Sequence, residues 1–178
     1  MIGLCADFCL ASAFWNCRQF SNRIIPVIEK ILNEQENAVI SVDTTKVKVA
    51  EAALKYGAQI INDISGGLFE PEIFDVAKGF NAGFVIMHIK GKPKTMQQNL
   101  RYKNLIVEVH DFLEVQSAKA QSKGLEKIFL DPGIGFGKSV EDNFKLLNRL
   151  DDFKSLSYPL LIGLSRKSFI GQSLNLEM

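Results

Sequence analysis

The chain has 178 residues, 47% hydrophobic and 23% charged, a composition ordinary for a soluble globular domain with chain enough for one sizeable core. The formal net charge of +1 gives no electrostatic case for nucleic acid or an anionic membrane surface as a partner. No uninterrupted apolar run reaches the roughly 18 residues of a membrane span.

The three cysteines, Cys5, Cys9 and Cys17, match no zinc-pair spacing, and neither His88 nor His110 is near them in sequence. The odd count argues for reduced thiols and a cytoplasmic location. The first fifteen residues are apolar and Ala11-Ser12-Ala13 resembles a cleavage triplet. The stretch lacks a basic start, however, and Asp7 interrupts it, so a signal peptide is not expected.

Residues 1–21 show no period and remain unplaced; 22–178 read as one domain. From Asn22 the apolar spacing is helical through Leu32, with Pro26 expected in the first turn. Residues 38–42 read as a strand ending at Asp43, and Thr44 or Thr45 is placed to cap a helix over 46–56. The unit then repeats. Residues 59–61 form a strand ending at Asn62 and Asp63, followed by a glycine loop and a short helix over 71–78. Residues 83–88 form a strand ending at His88. The polar stretch 89–102 is long enough to be a functional loop, and 105–123 is an amphipathic helix stopped by Gly124. Residues 127–130 read as a strand, 131–138 as a glycine loop and 141–150 as a helix. Residues 159–164 read as the last strand, before Ser165-Arg166-Lys167-Ser168.

Strands that are apolar on both faces belong in a parallel sheet covered by helices. Polar residues close every strand: Asp43, Asn62 with Asp63, His88, Asp131, and the segment 165–167. In a (β/α)₈ TIM barrel those ends share one face and carry the site. A doubly wound sheet is the competitor, but no G-x-G-x-x-G fingerprint follows the first strand.

Each polar residue also has a plain explanation. Asp43 could be a helix cap, Asn62 a loop acceptor, His110 a structural residue in mid-helix, and Lys167 a solvated helix start. Asp131-Pro132-Gly133 alone could be a tight turn. Together they can read a heterocycle. Asp43 and Asp131 accept from ring N–H and amino groups, Asn62 donates and accepts, and Lys167 donates. Lys138 is expected to point outward from its loop.

Five strings carry a resemblance: Ser-Val-Asp-Thr (41–44), Ile-Ile-Asn-Asp-Ile-Ser-Gly-Gly (60–67), Met-His-Ile-Lys-Gly-Lys-Pro-Lys-Thr-Met-Gln (87–97), Asp-Pro-Gly-Ile-Gly-Phe-Gly-Lys (131–138) and Gly-Leu-Ser-Arg-Lys-Ser (163–168). In order and spacing they resemble the dihydropteroate synthase family, whose fold is the (β/α)₈ barrel. The resemblance implies condensation of 7,8-dihydropterin-6-ylmethyl diphosphate with p-aminobenzoate, giving dihydropteroate for folate biosynthesis. It implies that Asp43, Asn62, Met87, Asp131 and Lys167 hold the pterin, and that Phe136 and Ser165 lie towards p-aminobenzoate. It also implies Mg²⁺ as cofactor and a homodimer in the full-length family.

The family's Asn-x-Thr-x-x-Ser-Phe and Ser-Thr-Arg-Pro-like loops do not occur in residues 1–37, and its Arg-Val-His segment is not found. The expectation is therefore an incomplete barrel, roughly strands three to seven, with no metal ligand identified and the chain an inactive fragment. The alternatives are a methyltetrahydrofolate-dependent methyltransferase of the same family and a non-catalytic pterin-binding module.

Overall fold

The computed structural model describes residues 2–5, 17–91 and 100–174. Residues 92–99, part of the expected functional loop, lie outside them, as does most of the signal-like stretch. Five parallel strands run β1 (Ile2–Cys5), β2 (Ile40–Asp43), β3 (Ile60–Asp63), β4 (Gly83–Met87) and β5 (Ile128–Asp131), hydrogen-bonded in the order β1-β2-β3-β4-β5. Between them lie α1 (Cys17–Glu34), α2 (Val47–Lys55), α3 (Ile73–Gly79) and α4 (Leu105–Ser122). After β5 come α5 (Val140–Asn148), a 3₁₀ helix (Leu150–Leu156) and α6 (Ser168–Leu174).

The strand order matches the sequence order without reversal. Right-handed crossovers then put every connecting helix on one side of the sheet. A doubly wound sheet would reverse its order partway, so this is part of a barrel wall, with helices outside and the concave face inside.

Two segments differ from expectation. The segment without a legible period supplies β1, whose register pairs Ile2 with Ile40 and Cys5 with Asp43. A four-residue strand is too short to show a period of two against a background of apolar neighbours. Strand β2 is therefore paired on both sides, by β1 and β3. The expected strand over 159–164 is only a parallel bridge between Leu130 and Leu160, with Leu130 N–H donating to Pro159 O and Leu161 N–H to Leu130 O, each at 2.9 Å. Its apolar sequence resembles that of the strands, but it is paired on one side only, and Gly163 and Leu164 are exposed.

Helix termini also depart from expectation. Pro26 lies inside α1 on the exposed side, where water can meet the carbonyl that a proline leaves unpaired. Neither threonine caps α2. Lys46 holds the N-cap position with no side-chain capping bond, its Nζ donating to Glu70 at 2.9 Å; Thr44 Oγ1 accepts from Lys46 N–H at 3.0 Å, and Glu70 from the β3–α3 loop accepts Val47 N–H at 2.8 Å. α5 has a capping box between Ser139 and Asp142.

The core lies between sheet and helices. Ile40, Val42, Ile61, Phe84, Ile86 and Leu130 are buried from the sheet, against Ile24, Ile28, Val49, Ala53, Ile73, Val109 and Leu113 from the helices. Phe74 and Phe84 meet edge to face with centroids 5.0 Å apart. Burying such side chains contributes roughly 1.5–3 kcal/mol each, which is what fixes the strand ends relative to one another.

Candidate functional site

Side chains alternate across a strand, so the register decides which ones meet. Leu130, Ile86 and Ile61 pack into the helix-side core. The opposite parity, Ser41 and Asp43, Ile60 and Asn62, Val85 and Met87, Phe129 and Asp131, faces the concave side. The apolar helix-side residues thus fix where the polar ones emerge.

Asp43 pairs in register with Asn62, and Met87 with Asp131. Asn62 Nδ2 donates to Asp43 Oδ1 at 2.8 Å. This leaves Asn62 Oδ1 inaccessible to solvent and without a hydrogen-bond partner among the described residues. A buried amide oxygen left in that state costs about 1–3 kcal/mol, a penalty a ligand N–H would remove. Met87 is buried at the end of β4. Asp131, only 7% exposed, accepts Gly133 N–H on Oδ1 at 2.7 Å. Burial pushes its carboxyl up to about 6; the Gly133 N–H and the charges of Lys167 and Lys138 work against that, and Asp43 adds to it.

Lys167 precedes α6 and is half-buried, with Nζ 4.2 Å from the centroid of the Phe136 ring. Burial holds its ammonium below the ordinary range, while Asp131 and Asp43 support its charge. Asp43, Asn62, Asp131 and Lys167 thus form one group: two carboxylates, an amide and an ammonium at the carboxyl ends of β2, β3 and β5. Phe136 joins it through the cation–π contact with Lys167. Ser165 is exposed in the turn before Lys167, and the structure ties it less closely to the group.

Lys138 does not point outward. It is 3% exposed, and its Nζ bonds Gly133 O at 2.9 Å, Phe136 O at 3.0 Å and His88 Nδ1 at 3.0 Å. The loop wraps around this side chain because Gly133, at φ 72°, takes a left-handed turn; a Cβ there would overlap the His88 carbonyl. Burial pushes the His88 imidazole down to about 2, helped by the charges of Lys138 and Lys90, so His88 is neutral. Its ring meets Phe112 edge to face with centroids 5.0 Å apart.

Two further loop anchors were not singled out in the sequence. Asn143 Oδ1 accepts Gly135 N–H at 2.7 Å, and Tyr102 donates its hydroxyl to Gly137 O at 2.8 Å. A signal was available for Asn143, which lies one helical turn past the capping Ser139; Tyr102, across a long loop, offered none. His110 is structural, with Nε2 2.9 Å from Ser155 Oγ and its ring stacked on Phe153. Two surface hollows lie at the other end of the sheet, one between α1 and α2 and one by Gln59, Gly83 and Lys127. Neither is lined by Asp43, Asn62, Asp131 or Lys167, so it is the convergence of chemistry that locates the site.

A family model described as pterin binding enzyme matches residues 14–178. The chain is 48% identical over 155 residues to a dihydropteroate synthase of Synechocystis sp., covering 86% of this chain and 53% of that protein. It is 44% identical to the dihydropteroate synthase of Escherichia coli K12, covering 86% of this chain and 54% of that one. The chain thus spans about half the length of the curated relatives it matches. Among solved structures, dihydropteroate synthase from Thermus thermophilus in complex with 4-aminobenzoate superposes with a TM-score of 0.90 at 38% identity, covering 99% of this chain and 67% of that one. The same enzyme in complex with 6HMPPP gives 0.87 at 39% identity, covering 98% of this chain and 65% of that one.

Proposed function

We propose that this chain, which belongs to the pterin-binding enzyme family, carries the pterin-holding part of a dihydropteroate synthase. The observation that carries the reading is the group at the strand ends: Asn62 Oδ1 lacks a partner beside Asp43, across from a buried Asp131 and Lys167. A 2-amino-4-oxo pterin complements it. Ring N–H and amino groups donate to the two carboxylates and to Asn62 Oδ1, and the ring carbonyl or a ring nitrogen accepts from Lys167. Met87 supplies apolar surface. Phe136 and Ser165 lie towards the p-aminobenzoate side. Relatives bound to 4-aminobenzoate and to 6HMPPP support both substrates.

In the proposed reaction the pterin C6 methylene loses diphosphate and the aromatic amine of p-aminobenzoate takes its place, releasing one proton. Positive charge develops on the pterin as the C–O bond breaks. Asp43 and Asp131, fixed at the edge of the ring, favour that charge in a water-poor site. Ionised Asp131 accepts ring N–H groups, and its pKa of about 6 leaves it mostly ionised at neutral pH.

The described residues do not fit a magnesium site at the strand ends. The carboxylates there face Lys167, and a hard divalent ion needs several oxygen ligands without an ammonium among them. Magnesium therefore enters the proposal only as a counter-ion of the diphosphate substrate, and no step is assigned to it here. A cytoplasmic location and a homodimeric full-length enzyme complete the proposal.

Calorimetric titration with a 7,8-dihydropterin tests the binding. Wild type should bind, and Asp131→Ala should bind more weakly by about 1.5–3 kcal/mol, the range of a hydrogen bond to a charged group; equal affinities would remove the assignment. Formation of dihydropteroate from the pterin diphosphate and p-aminobenzoate tests the activity.

A further inference from the structure

Lys138 is a buried charged group that the pterin contacts leave unused. It sits beneath the glycine loop, 3% exposed, and its hydrogen-bond partners are two loop carbonyls and both the imidazole and the carbonyl of His88. An ammonium has three N–H donors; Gly133 O, Phe136 O and His88 Nδ1 are its three nearest acceptors, with His88 O further off at 3.4 Å. The residues it holds are the ones that aim the site. Gly133 N–H fixes the Asp131 carboxylate, and the Phe136 ring lies under the Lys167 ammonium. On the other side His88 is held by Phe112, so the loop is fastened to the end of β4.

We propose that Lys138 is the positioning residue of this site: its amine locks the 133–137 loop onto His88 and thereby sets Asp131 and Phe136 for the ligand. This rests on the pterin-binding reading for its functional half only. The lock holds in either proton state. With Lys138 as an ammonium, His88 Nδ1 accepts and Nε2 carries the proton. With Lys138 as a neutral amine, its lone pair accepts from a Nδ1–H tautomer and one proton is released. Burial lowers the Lys138 ammonium to about 7, which brings the exchange into an accessible range. The charges that face it are Asp131 and Asp142, which support its proton, and Lys167 and Lys90, which oppose it. Tyr102, packed beside His88, completes the surroundings.

The test compares the 178-residue chain with Lys138→Met, which keeps the length and removes the donors. We expect 7,8-dihydropterin affinity to fall roughly tenfold or more. Loop amides from Gly133 to Gly137 should exchange at least roughly tenfold faster while the β2–β4 amides keep their protection. Unchanged affinity together with unchanged loop exchange overturns the proposal. Loss of protection throughout the sheet also overturns it, because Lys138 would then be a general core residue. If the wild type binds no pterin, the proposed function fails, and loop exchange alone decides for or against the lock. Should Lys138→Met not fold, nitrogen NMR of wild-type His88 decides. The ring should stay uncharged at pH 5, and Nδ1 should change from acceptor to N–H as pH rises through about 7. An imidazole that protonates near its ordinary pKa of about 6.5 would show that Lys138 does not engage it.

Discussion

Asp131→Asn should make the unliganded protein more stable at neutral pH while weakening its hold on pterin. The Asp131 carboxyl is raised from 3.8 to about 6, first by burial. A carboxyl whose folded pKa lies above its unfolded value favours folding when protonated, and that contribution is lost as pH rises through the folded pKa. The window here runs from about pH 4 to about pH 6, and a shift of about two units corresponds to about 3 kcal/mol at its upper end. Asparagine keeps the oxygen that accepts Gly133 N–H and removes the buried charge. Lys138 and Lys167 lose some support in exchange, so a gain of about 1–2 kcal/mol above pH 7 is the working figure. His88 runs the other way. Its pKa is depressed to about 2, so the unfolded chain binds the proton first and stability falls with acid below the ordinary histidine value. In wild type the two slopes oppose each other between about pH 4 and about pH 6; in the variant Asp131 no longer opposes the His88 slope. Urea unfolding at closely spaced pH values, with and without 7,8-dihydropterin, reads both effects. A variant less stable than wild type at pH 7.5, or one that binds pterin equally well, would refute the reasoning.

Lys167→Gln should reduce pterin affinity by about 1.5–3 kcal/mol with little change in urea midpoint, since Lys167 is half-buried and engaged chiefly by charge and ring; a large midpoint shift would make it a structural residue instead. Glu70→Ala should destabilise the fold by about 1 kcal/mol, the usual worth of a lost helix cap, because Glu70 takes the Val47 N–H. Amide exchange confined to the first turn of α2 would verify the location. Phe84→Ala should cost about 3–5 kcal/mol, the range for truncating a fully buried aromatic, and equilibrium unfolding measures it directly.

The strands that sequence reads well are those with long-range support written into them. β2 to β5 are apolar runs, each closed by a polar residue at or just past its end and followed by glycine or a helix signal, so both their existence and their carboxyl ends were legible. β1 and the 159–164 segment reverse the pattern. One has no period and pairs fully with β2, while the other has a strand-like composition and makes a single bridge. Neighbours decide those two cases, and neighbours are not in the local sequence. Caps show the same split: Ser139 with Asp142 is local and could be read, whereas Glu70 reaches Val47 from 23 residues away.

Lys138 separates the legible part of the site from the rest most sharply. Composition places a lysine at the end of a glycine loop in solvent, because burying an ammonium is costly without partners. What reverses this is backbone geometry. Left-handed glycines turn Gly133 O and Phe136 O inward, and His88 arrives from a strand fifty residues earlier. The loop supplies acceptors for the lysine because it is wound around it, and it can wind that tightly because Gly133 carries no Cβ to strike the His88 carbonyl. The glycines that leave room for a ligand also make room for an internal cation. On the proposed reading, ligand contact and loop support therefore fall to two different lysines, Lys167 beside Asp43, Asp131 and Phe136, and Lys138 beneath the loop. The sequence separates the two lysines, but the burial of Lys138 comes only from the structure.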